Sequence, residues 1–204
     1  MSSGLRATRH ADIFLLTLEH PSGFPRLTRE VLCELLCQLD ALASATECVG
    51  IVITGSPQAF CAGAEIEEIA ALAPGGGRAF SELGQSVMSR IANAEKPIVA
   101  AIRGYCMGGG FDLALACHTR IATDDAVFAH RGATLGLITG WGGTQRLARL
   151  IGRARATEVF VTARPISAGE ALRLGLLREV TTADELLPHA IDLARNPRAT
   201  ENGI

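Results

Sequence analysis

Apolar residues along this chain recur with two different periods, and the alternation between them predicts a succession of strands and helices. Ile13 to Leu18 is almost wholly apolar and reads as a strand. Thr28 stands where an N-cap is expected, and leucines at 32, 35, 36 and 39 then fall on one helical face. Val49-Gly-Ile-Val-Ile-Thr-Gly55 reads as a short buried strand ending in a turn, and Ser56-Pro57 opens a loop. A short helix is expected from Ala64-Glu65-Ile66. Pro74-Gly-Gly-Gly77 then breaks the chain before an amphipathic helix running through Ile91 and Ala92 and closed by Pro97. Ile98-Val-Ala-Ala-Ile102 has the continuous apolar character of a strand buried on both faces. Gly104 to Gly110 turns that strand into a helix reaching about Cys117. Ile121 to Ala129 offers two short strands around the Asp124-Asp125 turn, and Gly136 to Gly143 leads into a helix from Thr144 to Leu150. The last third reads as helical, with Ser167-Ala-Gly-Glu170 and Thr182-Ala-Asp-Glu185 both fitting a capping box.

Repeating strand and helix units predict an α/β fold with largely parallel strands covered by helices. There is no internal repeat, no low-complexity tract and no linker long enough to divide the chain, so residues 1–204 are expected to form one domain, with a core over about 11–163 and a helical part over about 164–204. A chain of 204 residues with 48% hydrophobic and 20% charged residues can bury one sizeable core. Its formal net charge of -2, with both signs interspersed, gives no electrostatic footprint for nucleic acid or for an anionic membrane. The start, Met1-Ser-Ser-Gly-Leu-Arg-Ala-Thr-Arg9, lacks the apolar run of an export signal, and no later stretch has the length of a membrane span; a cytoplasmic location is the expectation. The six cysteines form no C-x-x-C pair and are expected to be reduced and mostly buried, with no metal site. No pattern for a phosphate loop or a dinucleotide is present, so no cofactor is indicated.

Two loops carry candidate chemistry. In Phe60-Cys-Ala-Gly-Ala-Glu-Ile66 a glycine allows a tight turn and frees the amide of Ala64. In Gly104-Tyr-Cys-Met-Gly-Gly-Gly-Phe-Asp112 the glycines clear approach to the backbone at a helix start. Each alone is readable as a packing turn. Two amides aimed at one oxygen would form an oxyanion hole, worth about 3 to 4 kcal/mol per donor to a developing negative charge.

These segments, together with Lys96-Pro-Ile-Val-Ala-Ala-Ile-Arg before the second loop, Leu-Ala-Leu-Ala-Cys117 after it, Gly142-Gly-Thr-Gln-Arg-Leu147 and Ile166-Ser-Ala-Gly-Glu-Ala-Leu-Arg-Leu-Gly-Leu176, resemble the motifs of the enoyl-CoA hydratase/isomerase (crotonase) family. They stand in the family's order, and the similarity runs from about Ile13 to about Arg195. The resemblance implies a crotonase-like ββα spiral fold with a shortened helical end, usually a homotrimer or hexamer, binding an acyl-CoA thioester with no cofactor beyond the coenzyme A of the substrate. By motif position the oxyanion-hole amides fall on Ala64 and Gly109, and the stretch from Ala62 through Glu65 to Ile66 lines the coenzyme A groove, with Arg26 near its phosphates. Tyr105, Met107, Gly132 and Trp141 fall on or near the acyl pocket.

Family hydratases use two glutamates for general acid and base work, and this chain departs from both. The first position is Asp112, whose carboxylate is shorter by one carbon; displacement of about 1 Å can slow a reaction by about 10²-fold. The second, within Phe128-Ala-His-Arg-Gly-Ala-Thr-Leu-Gly136, is Gly132, which cannot carry a proton, so that Gly132→Glu stands as the direct test of the site. Asp112 can equally be a carboxylate favoured by the helix dipole. His130, beside the missing glutamate, is a candidate substitute acid. Trp141 is either the wall that shortens the acyl pocket or a packing anchor. If the protein ends at Ile204, where the family continues with helices over the acyl site, that site is expected to be open or completed by a neighbour. Two functions lead, an acyl-CoA enzyme whose reaction needs one proton carrier and a catalytically silent acyl-CoA binder or supporting subunit; a third reading, a purely structural domain, leaves the paired amide loops unexplained.

Overall fold

The computed structural model describes residues 4–197. Met1 to Ser3 and the tail from Arg198 to Ile204, including the end of the expected helical part, lie outside the described residues. The chain opens with β1 (Leu5–His10), which turns at Ala11 (φ 58°) into β2 (Ile13–Leu18). α1 (Arg29–Ser44) follows, with the hydroxyl of Thr28 accepting from the Val31 N–H at 3.2 Å. Then come β3 (Gly50–Thr54), β4 (Ala59–Cys61), α2 (Ile66–Ala70) and α3 (Gly76–Ala92), whose buried Phe80, Gly84, Val87, Met88 and Ile91 keep helical spacing. β5 (Ile98–Ile102) and β6 (Tyr105–Met107) lead to α4 (Gly109–Ala116), and β7 (Thr119–Thr123) and β8 (Val127–Ala129) to a 3-10 turn at Arg131–Leu135. The described chain closes with α5 (Gly143–Ile151), α6 (Arg153–Thr162), β9 (Ile166–Ser167), α7 (Ala168–Arg173), β10 (Glu179–Thr181) and α8 (Ala183–Arg195).

Two sheets result, ordered β1-β2-β3-β5-β7-β10 and β4-β6-β8-β9. Only the end pairs β1/β2 and β8/β9 are antiparallel. The unit is a pair of strands followed by helix: β3-β4, β5-β6 and β7-β8 each send their first strand to the large sheet and their second to the small one. This is the ββα spiral of the crotonase fold. The two strands flanking Asp124-Asp125 therefore do not pair with each other but with neighbours in different sheets.

The central strands of the large sheet are buried on both faces, as their apolar runs require. Leu16, Leu18, Ile51, Ile53, Ala100 and Ile102 point into the main core between the sheets and helices. Ile13, Leu15, Val52, Val99, Ala101 and Ile121 point the other way, onto Leu186, Ala190, Leu193 and Ala194 of α8. Cys48, Cys61, Cys106 and Cys117 are buried, and burial pushes the thiols of Cys61 and Cys117 up to about 12; Cys33 and Cys37 are exposed on α1. Of the two capping boxes, Ser167 accepts from the Glu170 N–H in the expected way. At Thr182 the bond is instead from its hydroxyl to the Glu185 carboxylate at 2.8 Å.

Candidate active site

The amide side of the site is built from turns that only small residues permit. Gly63 has φ 105°, a conformation that side chains disfavour, and Leu27 N–H donates to its carbonyl at 2.8 Å. A Cβ on Gly63 would lie 3.2 Å from the Gly109 nitrogen, and one on Gly109 would lie 3.3 Å from the Ala64 nitrogen. The two amides named from sequence thus stand side by side. Gly109 is the first residue of α4, where helix N–H groups have no partner within the helix. The amide of Gly108 donates to the Ala129 carbonyl at 2.9 Å, which ties this turn to β8 and to His130 just beyond it.

Both amide-bearing residues line a pocket of about 460 Å³, a size suited to a small-molecule ligand. Ala62, Ile66, Met107, His130, Gly132 and Trp141 also lie on its wall. Three of the expected site residues do not. Arg26 and Glu65 lie off the wall and pair with each other at 2.9 Å. Tyr105, expected as pocket or core filler, is 47% exposed and stacks loosely with Phe24, because at the start of β6 its side chain points away from the small sheet's buried face.

Asp112 does not reach the pocket wall either; it is wholly buried one turn into α4. Burial is the main force on its carboxyl and pushes it up to about 7, against the opposing pull of the Thr139 hydroxyl, the Arg146 charge and the Trp141 backbone. Thr139 donates to Oδ2. Oδ1 faces Nε2 of His130 at 3.5 Å, and both atoms are buried without a hydrogen-bond partner. His130 packs between Phe111 (4.9 Å) and Phe160 (4.8 Å), and burial lowers its imidazole to about 4. The short separation suggests an ion pair, but burial drives both groups toward their uncharged forms; a neutral acid facing a neutral ring is the state the surroundings favour.

Glycine also makes room for this pair. A Cβ on Gly143, the first residue of α5, would fall 1.9 Å from Asp112 Oδ1 and 3.1 Å from His130 Cε1. Trp141 is wedged by the same means: a Cβ on Gly109 would meet its ring at 2.3 Å and one on Gly84 at 2.1 Å, while the Phe80 ring packs tilted against it at 5.5 Å. Gly132 offers no side chain, and a Cβ there would come within 2.6 Å of the Leu137 carbonyl oxygen. The Leu137 N–H also donates to the Gly132 carbonyl at 2.8 Å, so the loop is closed across that point. Gly132→Glu is therefore not a clean restoration, since it must displace backbone. Thr139, Gly143 and the aromatic pair around His130 escaped sequence reasoning; each is an ordinary residue until the fold brings it to Asp112. Among the described residues no group of three or more His, Cys, Asp or Glu side chains is placed to hold a metal ion.

A sequence model described as enoyl-CoA hydratase/isomerase matches residues 8–200. The chain is 35% identical to the short-chain-enoyl-CoA hydratase of Clostridium acetobutylicum over 187 residues, covering 91% of this chain and 72% of that protein. It is 38% identical to the crotonyl-CoA hydratase of Syntrophomonas wolfei, again over 91% of this chain and 72% of the relative. Among solved structures, the crystal structure of enoyl-CoA hydratase from Bacillus anthracis superposes with a TM-score of 0.89 at 34% identity, covering 94% of this chain and 75% of that one. DspI of Pseudomonas aeruginosa superposes with a TM-score of 0.90 at 31% identity, over 94% of this chain and 73% of that one. With one fold, one order of motifs and a match along nearly the whole chain, this protein belongs to the enoyl-CoA hydratase/isomerase family.

Proposed function

We propose that this protein is an enzyme that binds an acyl-CoA thioester and stabilises its enolate, with the Ala64 and Gly109 amides as the oxyanion hole. The convergence of those two amides on an apolar pocket is the observation that carries this reading. A thioester enolate places its charge on one oxygen, which is what two fixed N–H groups serve best. Relatives named for short-chain enoyl-CoA and crotonyl-CoA support a short acyl chain.

Adding water across the double bond calls for both an acid and a base, and Gly132 removes one of the family's two carboxylates. Reactions that move protons through a single carrier suit the residues better: double-bond isomerisation, decarboxylation or thioester hydrolysis. Titrating the protein calorimetrically with crotonyl-CoA, then assaying crotonyl-CoA, a 3-enoyl-CoA and a malonyl-type CoA, tests this directly. Binding with turnover of the second or third is the expected result; no turnover of any would sink the enzymatic reading. The complete burial of Asp112 favours the second reading, a silent acyl-CoA binder or supporting subunit, which binding without turnover would establish. A cytoplasmic homotrimer or hexamer goes with either reading, and light scattering on the purified protein checks the assembly.

A further inference from the structure

Among the described residues no carboxylate lies on the pocket wall, and Asp112 behind it is buried, so the group able to exchange a proton with a ligand must be another. His130 is the ionisable residue of the Asp112 neighbourhood that lines the wall. Its two ring nitrogens differ. Nε2 is buried, unpartnered and 3.5 Å from Asp112 Oδ1, which is also unpartnered. Nδ1 makes no hydrogen bond to a described residue, and His130 lines the pocket wall while its Nε2 is turned to the buried carboxyl. The ring thus spans from the buried carboxyl to the pocket. Two orphaned buried polar atoms aimed at each other call for an explanation, and apo geometry in which a working hydrogen bond is long is a familiar one.

We propose that His130 is the catalytic residue that passes a proton to and from the acyl chain, and that Asp112, held by Thr139, is a positioning residue and proton store behind it. The inference rests on the acyl-CoA reading above and deepens it. In the base form Asp112 is ionised and accepts from Nε2–H, while the Nδ1 lone pair faces the pocket. When Nδ1 takes a proton from the carbon next to the thioester, Nε2 releases its own to Asp112, and the electron pair of the broken C–H bond passes to the oxygen held by Ala64 and Gly109. The acid form, Asp112 carboxyl with Nδ1–H, returns a proton to carbon by the reverse shift. No net charge is left on the imidazole between its two phenylalanines, which is why this route suits a dry site. Burial also sets the order of proton affinities the relay needs, with the carboxyl above the ring. Arg146 is the charge bearing on Asp112, and the Cys106 thiol is its other ionisable neighbour. Thr139 and the close approach at Gly143 fix the carboxyl so that Oδ1 stays turned to the ring.

The test is deuterium uptake from D2O at the carbon next to the thioester of butyryl-CoA, which reads proton transfer without needing the natural substrate. Wild type is expected to exchange it. His130→Gln should lower exchange by about 10²-fold or more with calorimetric affinity for butyryl-CoA unchanged. Asp112→Asn should lower exchange and flatten its pH dependence, and Thr139→Val should lower it less, about tenfold, at unchanged affinity. If His130→Gln keeps its exchange, or if wild type binds butyryl-CoA without exchanging it, the relay is overturned while the thioester-binding reading stands. If wild type binds no acyl-CoA, that underlying reading falls instead. Should His130→Gln fail to fold, the wild-type profile decides: exchange rising with pH through a single inflection near neutrality supports the relay, and a flat profile overturns it.

Discussion

The pocket has a backbone side, the amides of Ala64 and Gly109, and a side-chain side, His130 and Thr139 with Asp112 buried behind them. The first side asks little of residue identity beyond small size, because every non-proline residue carries an N–H and only a bulky Cβ can spoil its approach. The second side depends wholly on identity. On the reading proposed above, Asp112 and Gly132 stand where family hydratases carry glutamates, and the Asp112 carboxyl lies buried off the pocket wall. On that reading the binding of a charged oxygen is kept while the proton chemistry changes around it.

The comparison can be broken most sharply at Gly109. A Gly109→Val side chain would collide with Trp141 and crowd the Ala64 nitrogen, and turnover of the preferred acyl-CoA should fall by about 10²- to 10³-fold. Activity within about twofold of wild type would show that these amides do not hold the oxygen. On the side-chain wall, pH is the next probe. With burial holding the Asp112 carboxyl near 7, its ionised form grows as pH rises, so turnover limited by proton abstraction should climb about tenfold per pH unit below neutrality and level off above it. A profile that falls from pH 5 to 7 would contradict this sign. Between the two walls sits Trp141. Trp141→Ala should raise the kcat/KM of an eight-carbon enoyl-CoA relative to crotonyl-CoA by about tenfold, since a methylene of pocket depth is worth about 1 to 3 kcal/mol; an unchanged ratio would make the indole a packing anchor only. The smallest effect lies far from both. Thr28→Ala removes the cap of α1 and should cost about 1 kcal/mol in chemical denaturation without altering turnover.

The central strands β2, β3 and β5 of the large sheet were readable because each is a run of apolar residues buried on both faces. Of the small sheet only β8 was readable, since Ala59–Cys61 and Tyr105–Met107 are three residues long and look like loop beside glycines. β1 hid for another reason: as an edge strand with only Leu5 buried it shows no alternation. Asp112 and Gly132 were visible as departures from a motif, but the burial that gives Asp112 its character comes from α5 and the loop at Thr139, 27 residues away in sequence. Periodicity carries no record of such an encounter. The recurring strand-strand-helix unit likewise leaves no sequence repeat, because each turn of the spiral meets different neighbours.

The covering of the outer sheet face by α8 has a consequence for how the chain reaches this state. Ile13, Val52, Val99 and Ile121 are all made well before the helix at Ala183–Arg195 that buries them, and a Cβ on Gly50 would touch the Ala194 carbonyl oxygen at 2.3 Å, so the late helix packs directly onto an early strand. During synthesis the finished sheet presents a bare apolar surface for as long as that helix is missing. Sequence separations this large slow the final docking step and lengthen the interval in which two such surfaces can meet. For this protein the hazard of aggregation is therefore concentrated in the moments before residues 183–195 emerge, and a substitution weakening the apolar stripe of α8 would lower the yield of folded chains more than it would alter the pocket.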